Sequence, residues 1–217
     1  MVATLTFTAP ATLPAGEIVA TDISVEMYMS HYAGEFHEWV RGAVIRMSPA
    51  SLKHDALTLY LRYLLDIYFE FNPIGRAVSA PFVMRLDATR SFREPDVQII
   101  LNDNPGQLTD TAMIGPADIC IEVVSPESTA RDYGDKFKEY ETAGVREYWI
   151  IDPLRRDTHF YQRQANELYT AVQPDENGDY RTGLLPKLVV SVATLWQAPL
   201  PTRRDTMNTI ERLFKAE

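Results

Sequence analysis

Two ionisable residues stand where an apolar strand would ordinarily place none. Asp96 opens the strand-like run Asp96-Val97-Gln98-Ile99-Ile100-Leu101 directly after Pro95. Glu122 sits inside Ile119-Cys120-Ile121-Glu122-Val123-Val124. A mid-strand carboxylate among β-branched neighbours is costly to bury unless it is paired, protonated or bound to a metal. Strand alternation puts Asp118, Cys120, Glu122 and Val124 on one face. After Ser125-Pro126, Asp132, Lys136 and Tyr140 follow at i, i+4 and i+8, one stripe of a helix that could turn Lys136 back towards Glu122. Two carboxylates and a lysine near the ends of adjacent strands suit metal-assisted phosphodiester hydrolysis. The carboxylates would hold Mg²⁺, which keeps waters and takes few protein oxygens. The metal would lower the pKa of a water, and the lysine would orient that water or stabilise the transition state.

Each residue also has a plainer reading. Asp96 suits a strand cap or turn, Glu122 a pair with a core Arg or Lys, and Lys136 with Asp132 an ordinary helix pair. Cys120 reads as a small core residue. His54, in the first turns of a helix, could contact phosphate or position water, and equally reads as a half-buried helix histidine with one hydrogen bond. Tyr140, Tyr148 and Trp149 read as core aromatics. Gly144 reads as a left-handed helix cap, and Asp152 as the residue shaping the turn at Pro153.

The elements that must position these groups come from periodicity. Ser48-Pro49 predicts a helix start, and Leu57, Leu61, Leu64, Leu65, Tyr68 and Phe71 recur at three and four until Asn72-Pro73. Residues 17–31 predict a short helix and residues 39–47 paired or bent strands. Residues 77–86 predict one strand, with Pro81 at an edge or bulge, and 102–116 a polar loop. Strands follow at 96–101, 118–124 and 147–152, a helix at 129–143, and strands at 157–164, 167–173 and 180–184. Residues 188–196 are apolar, and 207–215 predict a last helix. The order predicts a mixed α/β domain around one sheet. We expect a lead-in at 1–16, a single domain at 17–200 and a helical tail at 201–217.

The 217 residues are 46% hydrophobic and 24% charged, a globular balance. Lys and Arg number 21 against 30 Asp and Glu, a net charge of −9, which argues against broad nucleic-acid coating. Residues 131–163 hold seven basic and seven acidic side chains, so no basic domain stands out even there. Groove candidates are Arg131, Lys138, Arg146, Arg155 and Arg156, with Arg203 and Arg204 further on. A single cysteine excludes an intrachain disulfide. No run reaches the ~18 apolar residues of a membrane span. The first basic residue is Arg41, so no secretory n-region is read, and a cytoplasmic location with no membrane partner is expected.

Glu94-Pro95-Asp96-Val97, the run Pro116 to Pro126, and Asp132-(x3)-Lys136-(x3)-Tyr140-(x3)-Gly144 continuing to Asp152-Pro153 strongly resemble the Uma-two family of restriction-endonuclease-like proteins. Glu38-(x3)-Gly42-(x4)-Met47-Ser48-Pro49-(x4)-His54 matches the family's N-terminal pattern, so the likeness spans about residues 20 to 195. The resemblance implies the PD-(D/E)xK nuclease fold, a central mixed β-sheet flanked by helices. It implies Asp96 and Glu122 as the two acids, with the carbonyl of Val123 completing the metal shell. The lysine that such motifs carry two residues after the second acid is absent, because position 124 is Val. The resemblance moves that role to Lys136, and gives Glu38, or the neighbouring Glu35, as the acid from the N-terminal part.

The activity implied is a Mg²⁺-dependent DNA endonuclease, with Mn²⁺ as a substitute. Catalysis would rest on Asp96, Glu122, Lys136 and Glu38, the metal on Asp96, Glu122 and Val123, and the products would carry 5′-phosphate and 3′-hydroxyl ends. Folds of this kind often pair as homodimers to cut both strands. A second reading keeps the fold without the chemistry, as a binding or interaction module, favoured by the acidic surface and displaced lysine. A third, weaker one is a metal-dependent hydrolase of another phosphate ester.

Overall fold

The computed structural model describes residues 16–215, so nearly all of the expected lead-in lies outside the described residues. The chain begins with β1 (Glu17–Ala20), α1 (Val25–His31), β2 (His37–Val40), β3 (Ala43–Arg46) and the long α2 (Leu52–Phe71). Six strands follow: β4 (Gly75–Ser79), β5 (Val83–Leu86), β6 (Ser91–Arg93), β7 (Val97–Leu101), β8 (Gln107–Leu108) and β9 (Ala112–Ile114). Next come β10 (Ile119–Val123), a π turn (Arg131–Asp135) running into α3 (Lys136–Ala143), β11 (Glu147–Asp152) and β12 (Asp157–Arg163). The last elements are β13 (Tyr169–Val172), β14 (Asp179–Tyr180), β15 (Val190–Ser191), α4 (Val192–Leu195) and α5 (Arg203–Lys215).

A six-stranded sheet in the order β13-β12-β11-β10-β7-β4 forms the centre. It is mixed, because β10 runs parallel to β11 and antiparallel to β7. Alternation along β10 then builds two cores. Ile119, Ile121 and Val123 meet Leu57, Leu61, Leu65 and Tyr68 of α2, and Ile210 of α5 joins the same cluster. Cys120 and Val124 face the other way, with Tyr140, Val145, Tyr148 and Ile150. Gly144 closes α3 at φ +95°, a left-handed cap that a side chain would strain.

A second, seven-stranded sheet has the order β1-β3-β2-β6-β5-β9-β8, where the sequence predicted one sheet only. α1 covers one face through Tyr28, packed with Trp39, Val44 and Phe92. The neighbours of Trp39 and Phe92 in β2 and β6 are Glu38 and Arg93, which alternation turns to the opposite face, towards α3. This sheet was hard to read because its strands are short and take their form from their partners. Residues 17–20 pair with β3 instead of starting a helix. The stretch 77–86 is two strands in different sheets, broken around Pro81. The polar loop at 102–116 contains β8 and β9.

α2 begins at Leu52, three residues after the predicted start at Pro49. Ser51, not Ser48, is its cap and accepts the His54 amide at 3.2 Å. Residues 47–51 are left non-helical. Among the described residues no helix is long and apolar enough to cross a membrane.

Candidate active site

Asp96 stands just ahead of β7, where that strand leaves the end of β10. Its Oδ2 accepts the main-chain N–H of Val123 at 2.7 Å and Nε2 of His54 at 3.1 Å. The histidine is thus tied to the acid itself, its position set by the Ser51 cap one turn earlier. Burial alone would lower the His54 pKa; the bond to Asp96 and the charges of Asp96, Glu122 and Asp132 together outweigh it and hold the imidazole above its ordinary value.

Glu122 points from β10 towards α3. Its Oε2 lies 2.9 Å from Nζ of Lys136, and its Oε1 accepts the Tyr140 hydroxyl at 2.8 Å. The stripe expected from spacing therefore meets the strand acid. Two i to i+4 steps of regular α-helix drift by about 80°. The π turn, where the Lys136 amide bonds the Arg131 carbonyl, has more residues per turn and takes back part of that drift.

Behind Lys136 lies a second tier. Its ammonium also meets Glu38 Oε1 at 3.2 Å and Asp132 Oδ1 at 3.5 Å. Glu38 Oε2 binds Nη1 of Arg93 at 2.7 Å, and Nε of Arg93 binds Glu139 at 2.8 Å. Every one of these residues is buried, and Glu38 and Arg93 are wholly so.

The charges in the two tiers respond differently. Burial pushes Glu122 up to about 8, and Asp96, Asp132 and Glu38 push the same way against Lys136. Burial would likewise raise Glu38, but Lys136, Arg93 and Arg131 hold it down at about 2. Burial would lower the Lys136 pKa, yet Glu122, Glu38 and Asp132 raise it, so the amine stays an ammonium. Burial also raises Asp132 and sends Glu94, whose Oε2 has no hydrogen-bond partner among the described residues, to about 8.

The acids open onto a cleft of about 400 Å³. Asp96, Glu122, Val123 and Lys136 all line it, with His54 and Arg131. The structure thus brings together Asp96, Glu122, Val123 and Lys136. Glu38 is joined to them through Lys136 but is not a lining residue, while Glu35 is exposed on the surface. Among the described residues, no group of three or more His, Cys, Asp or Glu side chains forms a ready metal cage.

Sequence reasoning passed over four contributors. Asp132 looked like an ordinary helix partner of Lys136, and Tyr140 like a core aromatic. Arg93 and Glu139 were not singled out at all. The available signal for Arg93 was its place beside Phe92 in a buried strand; its partners lie 46 and 55 residues away.

Comparisons with known proteins bear on the family and the fold. The sequence profile of the Uma2 (Uma-two) family, described as "Putative restriction endonuclease", matches residues 25–193. The Synechocystis sp. protein sll1609 is 30% identical over 138 residues, covering 60% of this chain and 74% of that protein. A crystal structure from Anabaena variabilis, described as a "putative nuclease belonging to DUF820", superposes with a TM-score of 0.67 at 17% identity. It covers 80% of this chain and 97% of its own, so the mixed α/β fold is shared. A nuclease-type function is what the family description supports.

Proposed function

The chain belongs to the Uma2 family, and on that premise we propose that it is a divalent-metal-dependent DNA endonuclease working at the Asp96–Glu122–Lys136 cleft. The donors suit a hard cation: two carboxylates and the Val123 carbonyl are all oxygen, few in number, and leave places for water. Glu122, crowded by other acids and raised to about 8, is a group that a cation would relieve. Asp96, Glu122 and Val123 would hold Mg²⁺, or Mn²⁺ in its place. Such an ion supplies Lewis-acid stabilisation of the scissile phosphate and eases loss of a proton from a nearby water.

The chain's own groups do the rest. Lys136, kept protonated, cannot act as a general base. It donates hydrogen bonds to the attacking water or to a phosphate oxygen as charge builds there. Asp96 is fixed by the Val123 amide and His54, and Glu122 by Tyr140. Glu38 and Asp132 position the ammonium; Arg93 holds Glu38 and is itself held by Glu139. In-line attack would leave a 5′-phosphate and a 3′-hydroxyl.

One observation carries the reading: an ammonium from the following helix reaches 2.9 Å from the strand acid, although the motif's usual lysine position is Val124. The test is Mg²⁺ or Mn²⁺ calorimetry beside cleavage of DNA, wild type against Asp96→Asn. Loss of both ion binding and cleavage in a folded variant supports the assignment; undiminished cleavage overturns it. Ion binding with no cleavage of any substrate by the wild type favours a binding module on a retained nuclease fold.

A further inference from the structure

The cleft is graded from wall to floor. At its buried end stand Asp96, Glu122, Lys136 and Arg131. At its open end stand Phe36, Met47, Pro49 and Ala50, of which Phe36 is 52% exposed. The two rim stretches prolong the paired strands β2 and β3, and the Met47 amide bonds the Phe36 carbonyl at 2.9 Å. Phe36 holds φ at +56°, a left-handed backbone that a bulky residue adopts only under constraint. Phe36 thus stands at the mouth of a charged cleft.

Arg131 is the floor's least committed cation. It is 4% exposed, and its Nε has no hydrogen-bond partner among the described residues. Its Nη1 reaches the Glu127 carbonyl at 3.5 Å. A guanidinium so placed has donors left for a phosphate oxygen. About 400 Å³ is near the small end of ligand clefts, room for a mononucleotide.

An apolar rim matches poorly with a duplex, whose outer surface is phosphate and sugar and whose base faces are stacked away. It matches an unstacked base, which offers its face to an aromatic ring. The charge balance agrees: a net −9 and cations confined to the floor give little of the counterion release that drives duplex binding. We infer that the cleft takes one unstacked nucleotide of a single strand, its phosphate at Arg131 and Lys136 and its base against Phe36. This rests on the nuclease reading and narrows its substrate to single-stranded or frayed nucleic acid.

The test is fluorescence anisotropy with a short oligo-dT, an oligo-U and a DNA duplex of equal length, Ca²⁺ replacing Mg²⁺ to prevent cleavage. A single strand of either sugar should bind at least about tenfold more tightly than the duplex. Phe36→Ala should cost about tenfold on the single strand, as loss of one stacked base does, and Phe36→Tyr should restore it. Arg131→Gln should weaken single-strand binding and flatten its salt dependence by about 0.7 in log–log slope. Equal or tighter duplex binding, or single-strand affinity indifferent to Phe36→Ala, overturns the inference. Duplex cleavage alongside that result leaves the nuclease reading standing; no binding and no cleavage of any strand overturns both.

Discussion

Under α2, β10 presents Ile119, Ile121 and Val123 to leucines and a tyrosine; under α3 it presents Glu122 to an ammonium and a phenol. Both faces are dry. On the first, each apolar group gains from leaving water whatever its neighbour does, in rough proportion to its area. On the second, no group is favourable alone, because each charge is costly to bury until its partner is in place. Two buried glutamates make the contrast concrete. Glu147 shares the α2 face with Trp149, and its carboxylate is met by the neutral donors Trp149, Tyr180 and Thr182. Burial still raises its pKa. Glu38, on the α3 side, meets Arg93 and Lys136 and is held at about 2. In these two, similar burial gives opposite titration: Glu38 has two cations in direct contact, which outweigh burial, and Glu147 has only neutral donors there.

The harshest way to break this comparison is to remove the shared cation. Lys136→Met should cost about 3–5 kcal/mol, because three carboxylates lose their common partner. It should also lower kcat roughly 10²- to 10³-fold, as loss of one transition-state donor does. Urea unfolding and cleavage assays read the two effects; an unchanged stability would show that the network was never charged. Leu61→Ala on the other face should cost about 2–5 kcal/mol through the cavity it leaves. Ion affinity should stay as in the wild type, and a calorimetric change there would mean that the faces are coupled.

Tyr140→Phe removes one hydrogen bond to Glu122 and should cost about 1–3 kcal/mol. The smallest effects are in pH. Glu38 has a depressed folded pKa, so its contribution is complete above pH 4.5 and is lost as pH falls through about 2. Glu147 has a raised one, so its contribution is complete below pH 4.5 and is lost as pH rises through the folded value. Denaturation midpoints across pH should therefore lose part of their acid-side slope in Glu38→Gln and part of their fall above pH 4.5 in Glu147→Gln. Slopes of the same sign would end the contrast.

What could be read from the sequence follows the reach of each interaction. Glu122 was visible because five apolar neighbours surround it, and Lys136 with Tyr140 because helical spacing is local. The central sheet was legible for the same reason: 96–101, 118–124 and 147–152 are short, largely apolar runs. Arg93 was not, since its partners Glu38 and Glu139 come from another strand and a helix far along the chain. The second sheet was missed because β1, β8 and β9 are two to four residues long and are strands only by virtue of pairing. The cap at Ser51 and the break at Pro81 are local, yet Ser48-Pro49 offered an equally good start. The π turn left no mark in the spacing at all.

The conditional character of the α3 face bears on the order in which the chain assembles. Leucines of α2 can settle on β7 and β10 one at a time. The Glu139–Arg93–Glu38–Lys136–Glu122 chain gains nothing from a partial set, because a half-buried ammonium without its acids is worse off than one in water. Docking of the π turn and α3 between the two sheets is therefore close to all-or-none. In native-state hydrogen exchange, amides of residues 131–143 should open together as one cooperative unit, at a free energy below that of global unfolding, while α2 and β10 stay closed.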